Sequence, residues 1–237
     1  MGPEAVQRIL DLLDDVESKM QSLTDKINDI LSWVPWGLGW VVDKFMDLWD
    51  KVLEKLGEFW DKVAEFVSNI GQPWDLNAAK DEWIGVGGPV AARAVEASRS
   101  QSTVDFEWKG RAADRYAMAL PEQQRAITGV RDKLTSVVGP ALGDIATALY
   151  VFFAAVAGAL VILVAAIVTA TGEAVSILGL PAVPPTVIAA IAAALVAIGA
   201  AINNLLGAAR DANTTFLDLQ NARSDFGAQN WPPAVVG

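Results

Sequence analysis

Apolar residues in the first 70 positions follow two heptad patterns separated by a break at Pro35. The first pattern alternates spacings of three and four residues over eight positions: Val6, Ile9, Leu13, Val16, Met20, Leu23, Ile27 and Ile30. The second continues in the same way over nine: Val42, Phe45, Trp49, Val52, Leu56, Phe59, Val63, Phe66 and Ile70. An α-helix places such residues on one seam and the intervening polar residues outside. Residues 1–70 are therefore predicted to form a coiled-coil-like hairpin of two antiparallel amphipathic helices.

Aromatic residues are concentrated at this turn and on the second helix. The turn carries Trp33, Trp36 and Trp40, and the helix carries Trp49, Phe59, Trp60 and Phe66. Tryptophan favours a membrane interface, but aromatic residues at helical spacing also pack against neighbouring helices. The 14 acidic and 7 basic residues of this region disfavour adsorption to anionic lipid. Packing is the favoured interpretation for the helix, and both interpretations stay open for the turn.

A second helical region is predicted after Gly71-Gln72-Pro73, which interrupts the heptad pattern. Asp75 is placed to cap a helix that begins at Leu76. The glycine-rich run Gly85–Pro89 is expected to break or kink this helix, which resumes over Val90–Ser98. A phosphate cradle is the alternative interpretation of these glycines, but the glycine patterns that such a cradle requires are absent.

The sequence Trp108-Lys109-Gly110 comes next and is followed by apolar residues at helical spacing, among them Tyr116. Gly110 permits a tight connection between two helices because it lacks a Cβ atom. Trp108 is then placed to reach into the groove between them. Residues 72–144 are therefore predicted to form a second helical hairpin with its bend at the W-x-G sequence.

The segments PWDLNAAKDEW, WKGRAADRY and ALPEQQRAI resemble the WxG family of type VII (ESX) secretion substrates, in its actinobacterial branch, over residues 72–150. The resemblance implies that Trp108 and Gly110 form the bend and that the flanking helices, including Tyr116, pair with another helical hairpin. Members of this family are exported without a cleaved signal, often as dimers, through an ATPase-driven membrane apparatus. Residues 1–11 likewise show no secretory signal pattern.

Two features depart from the family. The helix containing Gly85–Pro89 is usually uninterrupted, and the Y-x-x-x-D/E tail is missing, since Tyr116 and Tyr150 are followed at the fourth position by Leu120 and Ala154. Export then requires a partner that supplies the signal, or the protein stays in the inner membrane.

A hydrophobic block extends from residue 145 to residue 209 and contains a single charge, Glu173. A connection containing Pro181 divides it into two helices, the first of 28 uncharged residues. At 1.5 Å per residue this helix is about 42 Å long, and about 20 apolar residues suffice to cross a bilayer. Small residues offer close helix contacts at Ala154 with Gly158 and along Ala189, Ala193, Ala197 and Ala201. Other positions of interest in the block are Tyr150, Gly199, Asn203 and Asn204.

Two interpretations of this block compete. As a transmembrane hairpin, it exposes the Glu173 loop on the far side and keeps basic flanks on one side, at Arg125, Arg131, Lys133, Arg210 and Arg223. As a buried hairpin, it lies inside a soluble oligomer. The membrane-inserting interpretation is favoured, whereas constitutive and conditional insertion stay equally open. Asn203 and Asn204 either line a polar path or, by the simpler interpretation, make a contact between helices.

Composition excludes several classes of function. The chain has no cysteine and no histidine, which excludes disulfides, zinc–thiolate sites and histidine-based catalysis. Its net charge of −10 argues against general nucleic-acid binding. Carboxylates are spread along helix faces, so no enzymatic site, cofactor, metal or small-molecule substrate is expected.

These patterns predict an all-α chain: elongated hairpins over residues 1–70 and 72–144, a hydrophobic transmembrane hairpin over residues 145–209, and a helix end and tail over residues 210–237. The expected function is a type VII secretion-associated, WxG-like protein that oligomerises with itself or other helical proteins and inserts its hairpin into a membrane as a pore. The expected location is the cell-envelope membrane or the medium, by type VII secretion. The alternative is a soluble secreted scaffold or chaperone-like partner with the hairpin buried in an oligomer. A toxin-targeting domain is less favoured, because no catalytic domain follows.

Overall fold

A computed structural model describes residues 4–32, 34, 37–69, 71–98, 107–221 and 231–233. Every regular element in these ranges is helical, which confirms the predicted all-α class. The helices are α1 (Glu4–Leu31), α2 (Gly39–Asn69), α3 (Pro73–Glu96), α4 (Arg111–Lys133), α5 (Gly139–Glu173) and α6 (Val183–Asn221). A π-helical segment, Leu134–Val138, joins α4 to α5, and a 3-10 turn, Leu180–Ala182, precedes α6. The chain divides into two compact units, one from residues 1–72 and 148–206, the other from residues 73–147 and 207–237.

In the first unit, four helices share one hydrophobic core. Seam residues of α1 and α2 are buried together with residues of the hydrophobic block, among them Leu23, Phe45, Phe59, Phe152, Leu163, Ile191 and Ile198. The two amphipathic helices therefore bury their apolar seams against the hydrophobic hairpin as well as against each other. At the start of α2, Val41 is buried and the predicted seam residue Val42 is only partly so. Trp33, Pro35, Trp36, Ile70, Arg223 and the side chain of Phe66 lie outside the described residues.

Two contacts establish the direction of the helices in this unit. Lys26, near the end of α1, bonds the carbonyl of Thr171, near the end of α5. Arg8, near the start of α1, lines a cavity together with Phe153 and Gly158. Thus α1 and this part of α5 run in the same direction. Because the end of α1 lies beside the end of α5, the connections within both hairpins lie at the same end of the unit.

In the second unit, α3 runs antiparallel to the chain that passes from α4 into α5, and glycines allow a close approach. A Cβ atom on Gly87 would lie 2.4 Å from Cγ2 of Thr135, and one on Gly139 would lie 2.7 Å from Cγ1 of Ile84. The later residue of α3, Gly87, contacts the earlier residue of the partner segment, Thr135, which is the order expected for antiparallel helices. The glycines here are contact positions between helices.

Of the expected break or kink at Gly85–Pro89, the break is wrong, since α3 is continuous from Pro73 to Glu96 with Pro89 inside it. Proline removes one helical hydrogen bond and crowds the carbonyl four residues earlier. That carbonyl belongs to Gly85, which is exposed along with Pro89, so water is available to it. The contact of Gly87 with Thr135 holds the same stretch against its neighbour. Tertiary packing thus outweighs the local preference of the sequence.

A second proline, Pro140, also lies inside a continuous helix, just before the hydrophobic block begins. Helical conformation is continuous from Arg111 to Glu173. The π-helical segment Leu134–Val138 comes immediately before Gly139, so Pro140 falls in the first turn of α5. A π-helical segment shifts the hydrogen-bond register of the helix. A proline in the first turn of the next segment is tolerated, because the N–H that it lacks has no helical partner at that position.

Candidate functional site

The part of α5 in the first unit has two apolar faces with different surroundings. One face is buried in the core, at Phe152, Val156, Leu160, Leu163 and Ile167. The other is exposed and equally apolar, at Val151, Ala154, Gly158, Val161, Ile162, Ala165 and Val168. The exposed positions recur every three or four residues, as expected for one side of a helix. A surface helix of a soluble domain carries polar residues on that side.

A similar division exists on α6. Val187, Ile191, Ala194 and Ile198 are buried, whereas Val196 is 73% exposed and Ala192 and Ala200 are also exposed. The predicted small-residue row changes sides along the helix: Ala189 and Ala193 are exposed, Ala197 is partly buried, and Ala201 is buried. A spacing of four residues advances about 40° per step around a helix of 3.6 residues per turn, so such a row leaves the surface and enters the core.

Both helices are long and apolar enough to cross a membrane by length and composition: Arg111–Glu173 and Leu180–Asn221. A core helix of a soluble protein meets the same criterion when it is mostly buried. Here only 39% of the most apolar 18-residue stretch is buried in the first helix, and 33% in the second. Apolar surface therefore remains uncovered on both.

The single charge of the hydrophobic block is held at the turn between α5 and α6. Glu173 is the last residue of α5, and the hydroxyl of Thr186 donates to its Oε2 at 3.0 Å. Pro181 lies in the 3-10 turn, in the predicted connection. A Cβ atom on Gly179 would lie 2.4 Å from the carbonyl oxygen of Glu173, so the chain passes close to the end of α5 here. These contacts fix a compact turn.

A polar contact between two described residues joins the amphipathic hairpin to the hydrophobic one. Lys26 Nζ donates to the carbonyl oxygen of Thr171 at 2.6 Å, and Lys26 is partly buried. The bond falls near the carboxyl end of α5, where the helix dipole and the free carbonyls favour a cation. The hydroxyls of Thr169 and Thr171 donate to carbonyls four residues earlier in α5, which satisfies them without water. Lys26 carries no recognisable sequence signal, because its partner is a main-chain atom 145 residues away.

The other predicted positions of the hydrophobic hairpin are distributed along it. Tyr150 and Gly199 are partly buried, and Gly158 is exposed at the rim of the cavity that Arg8 lines. Asn203 and Asn204 are exposed on α6. The structure does not bring these residues together into one cluster.

The W-x-G sequence lies at the start of α4. Gly110 has a φ of 107°, a left-handed conformation that side chains with a Cβ atom disfavour, and α4 begins at the next residue. The ring of Trp108 lies 5.8 Å from that of Tyr116, and Tyr116 packs on Ala113 and Ala117. Trp108 is 44% exposed, and its predicted position in a groove between two helices stays a prediction. Residues 99–106, which complete the predicted bend, lie outside the described residues.

Charged groups in the described ranges form surface pairs along helices. A hydrogen bond from Lys55 to Glu58 raises the pKa of Lys55, and one from Arg93 to Glu96 raises the pKa of Arg93. In the ranges that the structure describes, no three acidic side chains are grouped so as to hold a metal ion. The same ranges contain no buried charged residue. The uncovered apolar face of α5 and α6 is the feature with the clearest functional meaning. The opposite faces of these helices pack against α1 and α2, whose outer sides are acidic.

Comparison of the chain with known protein families, with curated proteins and with solved structures gives no match.

Proposed function

We propose that this chain is a non-enzymatic membrane-inserting protein, in which residues 145–207 enter a bilayer and residues 1–70 cover them beforehand. The observation that carries the proposal is the uncovered apolar face of α5 and α6, which contains no charge between residues 145 and 172. Apolar surface of this kind is satisfied by hydrocarbon or by another protein surface. Both helices are long enough to cross the hydrocarbon core of a bilayer, which favours hydrocarbon over another protein surface.

The charge of residues 1–70, the cover, favours conditional insertion, which takes place only after the cover has moved away. The helices α1 and α2 carry acidic residues along their outer faces and pack along the hydrophobic hairpin. Charged side chains are costly in the hydrocarbon region of a membrane. Full insertion of α5 and α6 therefore requires the two hairpins to separate, which frees the buried faces for lipid or for other copies of the hairpin. Oligomerisation through these faces into a pore is the function that follows.

The secretion part of the proposal depends on the W-x-G resemblance. Trp108 and Gly110 precede a helix as in WxG hairpins, and we infer export by a type VII system or retention in the cell envelope. Comparison of cells with and without an active type VII apparatus tests this directly. Trp108→Ala is expected to reduce the amount of protein in the medium, whereas Trp83→Ala, at another exposed tryptophan, leaves it unchanged. Equal export without the apparatus would exclude this part of the proposal and leave membrane insertion standing.

A soluble scaffold or chaperone-like protein is the second candidate. The continuous core shared by four helices favours it, because such a core folds without lipid. In that case the exposed faces of α5 and α6 pack against other subunits.

Flotation of the full-length protein with liposomes distinguishes the two candidates. The membrane proposal expects the protein in the lipid fraction, release of an entrapped dye, and protection of residues 145–207 from protease. A monodisperse oligomer in detergent-free size-exclusion chromatography, together with no flotation or dye release at any pH, would establish the scaffold instead.

A further inference from the structure

A groove on the amphipathic hairpin is not used by the function proposed above. It lies between α1 and α2, has a volume of about 440 Å³, and is lined by both helices. Its apolar residues are Leu13, Met20, Leu53, Leu56 and Trp60, and its polar residues are Asp14, Glu17, Gln21 and Thr24. The acidic residues of the lining both come from α1.

The groove follows a second apolar stripe on α2, beside the predicted seam. Phe45, Val52 and Phe59 are fully buried, whereas the residue after each of them is also apolar: Met46, Leu53 and Trp60. Met46 is 43% exposed, Leu53 is 49% exposed, and Trp60 is partly buried. The apolar face of α2 is therefore wider than the part that the core covers. The stripe repeats every seven residues and extends over 14 residues, or about 21 Å of helix.

The charged residues of α2 that lie nearest this stripe are acidic. At about 100° per residue, Asp50, Glu54 and Asp61 follow the stripe on its solvent side, within about 100° of Leu53. All three are exposed. The described lysines of this helix, Lys44, Lys51 and Lys55, instead fall within about 20° of the direction opposite Leu53.

On α1 as well, acidic residues lie beside the groove and the basic residues lie away from it. Asp14 and Glu17 fall on the groove side of Met20, whereas all three basic residues of the helix fall on its other side, at Arg8, Lys19 and Lys26. The contacts agree with this geometry, since Lys26 bonds α5 and Arg8 lines a cavity with α5 residues. The groove thus combines an apolar floor with a rim that is acidic on the α1 side, at Asp14 and Glu17, and the exposed acidic residues of α2 lie beyond the apolar stripe.

We propose that this groove is the docking site for a basic amphipathic helix of another protein. Such a helix places apolar residues at positions i, i+3 or i+4, and i+7 into the groove, and its lysines or arginines beside the acidic rim. A second copy of this hairpin would place acidic rims against each other, which opposes self-association. Anionic lipid is disfavoured for the same reason. The inference is independent of membrane insertion, because the groove lies on the cover.

The probe is a dye-labelled helical peptide of leucine and lysine, with leucines on one face, and its binding to the full-length protein is followed by fluorescence anisotropy. A peptide with the same leucines and glutamate in place of lysine is the charge control. The lysine peptide is expected to bind and the glutamate peptide is not. Equal binding of both peptides would overturn the proposal, because apolar contact without charge recognition would then explain it.

Single substitutions locate the binding site. Leu53→Gln is expected to raise the Kd about tenfold, whereas Val95→Gln, at an exposed valine on α3, leaves it unchanged. Glu17→Gln is expected to raise the Kd severalfold at low salt and little at high salt, because screening weakens the contribution of a surface charge. Asp29→Asn removes one exposed charge from the far side of α1 and is expected to have no effect. Because Leu53 and Glu17 are exposed, these variants retain the fold, which circular dichroism verifies.

Three results would contradict the proposal: unchanged affinity in Leu53→Gln, equal effects of Glu17→Gln and Asp29→Asn, or a concentration-dependent dimer that Leu53→Gln dissociates. The last result would assign the groove to a second copy of the chain. Since no lipid is present, none of them bears on the proposed insertion of residues 145–207.

Discussion

The two hairpins of the first unit have similar inner faces, which are apolar, but their outer faces differ in polarity. Both contribute fully buried residues to one core, for example Phe59 from α2 and Leu163 from α5. Outward from that core, α1 and α2 carry acidic residues, whereas α5 and α6 carry valine, isoleucine, alanine and glycine. The inner faces determine how the unit folds, and the outer faces determine the environment that each hairpin tolerates. The cover is suited to water, and the hydrophobic hairpin is suited to lipid or to protein.

The largest expected effect comes from weakening the inner face of the cover. Phe59→Ala is expected to lower the free energy of unfolding by about 3–5 kcal/mol, because it leaves a cavity in the shared core. It is also expected to increase flotation with liposomes, since the cover is then released more easily. Met46→Ala, at an exposed position of the same helix, is the control. Urea unfolding and flotation check both expectations. A destabilised Phe59→Ala protein that floats less than the wild type would contradict the role of α2 as a cover.

The second test places a charge on the outer face of each hairpin. Ile162→Lys, at a position 49% exposed, is expected to change stability in water little and to oppose insertion by about 2.5–3.5 kcal/mol. Flotation should therefore fall about a hundredfold in partition coefficient. Leu10→Lys places the same charge on an exposed position of α1 and is expected to leave flotation unchanged. Equal flotation of the two variants would show that the face of α5 does not meet lipid.

A third test asks whether inner and outer positions differ in the second unit as they do in the first. Gly87→Ala places a Cβ atom against Cγ2 of Thr135, a stiff β-branched side chain, and is expected to destabilise the protein by about 1–3 kcal/mol. Gly85→Ala has open space and should stabilise α3 by about 0.5–1 kcal/mol, since alanine is the better helix former. Urea unfolding measures both. Effects of the same sign would contradict the close packing of α3 at Gly87.

The smallest expected effect concerns the contact between the hairpins. Lys26→Met removes the bond to Thr171 and is expected to cost about 1 kcal/mol, with a modest rise in flotation. Lys19→Met is the control, because Lys19 pairs only with Asp15 on the same helix, at 3.9 Å, among the ion pairs described for α1. A loss of stability in the control as large as that in Lys26→Met would assign the effect to charge and not to this bond.

Local sequence patterns predicted the helices well but not their partners. The heptads at residues 6–30 and 42–70 identify which face of α1 and α2 is buried. They carry no information that the hydrophobic hairpin, which begins 75 residues later, shares that core. A break or kink was predicted at Gly85–Pro89, because glycine and proline weaken an isolated helix. Packing of Gly87 and Gly139 against Thr135 and Ile84 keeps the chain helical there.

The residue range of the candidate site was predictable from the sequence, but which of its faces is buried and which is exposed was not. An uncharged block of this length predicts a membrane-inserting or deeply buried hairpin. Because residues 145–172 are apolar on every side, periodicity does not distinguish Leu163, which is buried, from Ile162, which is exposed. The groove on the cover had a sequence signal, the apolar residues that follow Phe45, Val52 and Phe59. The heptad spacing defines only one seam on α2, and these residues lie outside it.

The most direct test of the account links the two hairpins covalently. The chain has no cysteine, so Lys26→Cys with Thr171→Cys supplies a unique pair for a short, flexible, reducible cross-linker. Lys26→Cys alone, treated with the same reagent, is the control. The account predicts that the cross-linked protein stays in the aqueous fraction without releasing dye from liposomes, and that reduction restores flotation and release. Full flotation, protease protection and dye release with the cross-link intact would contradict it, because insertion would then not require separation of the cover.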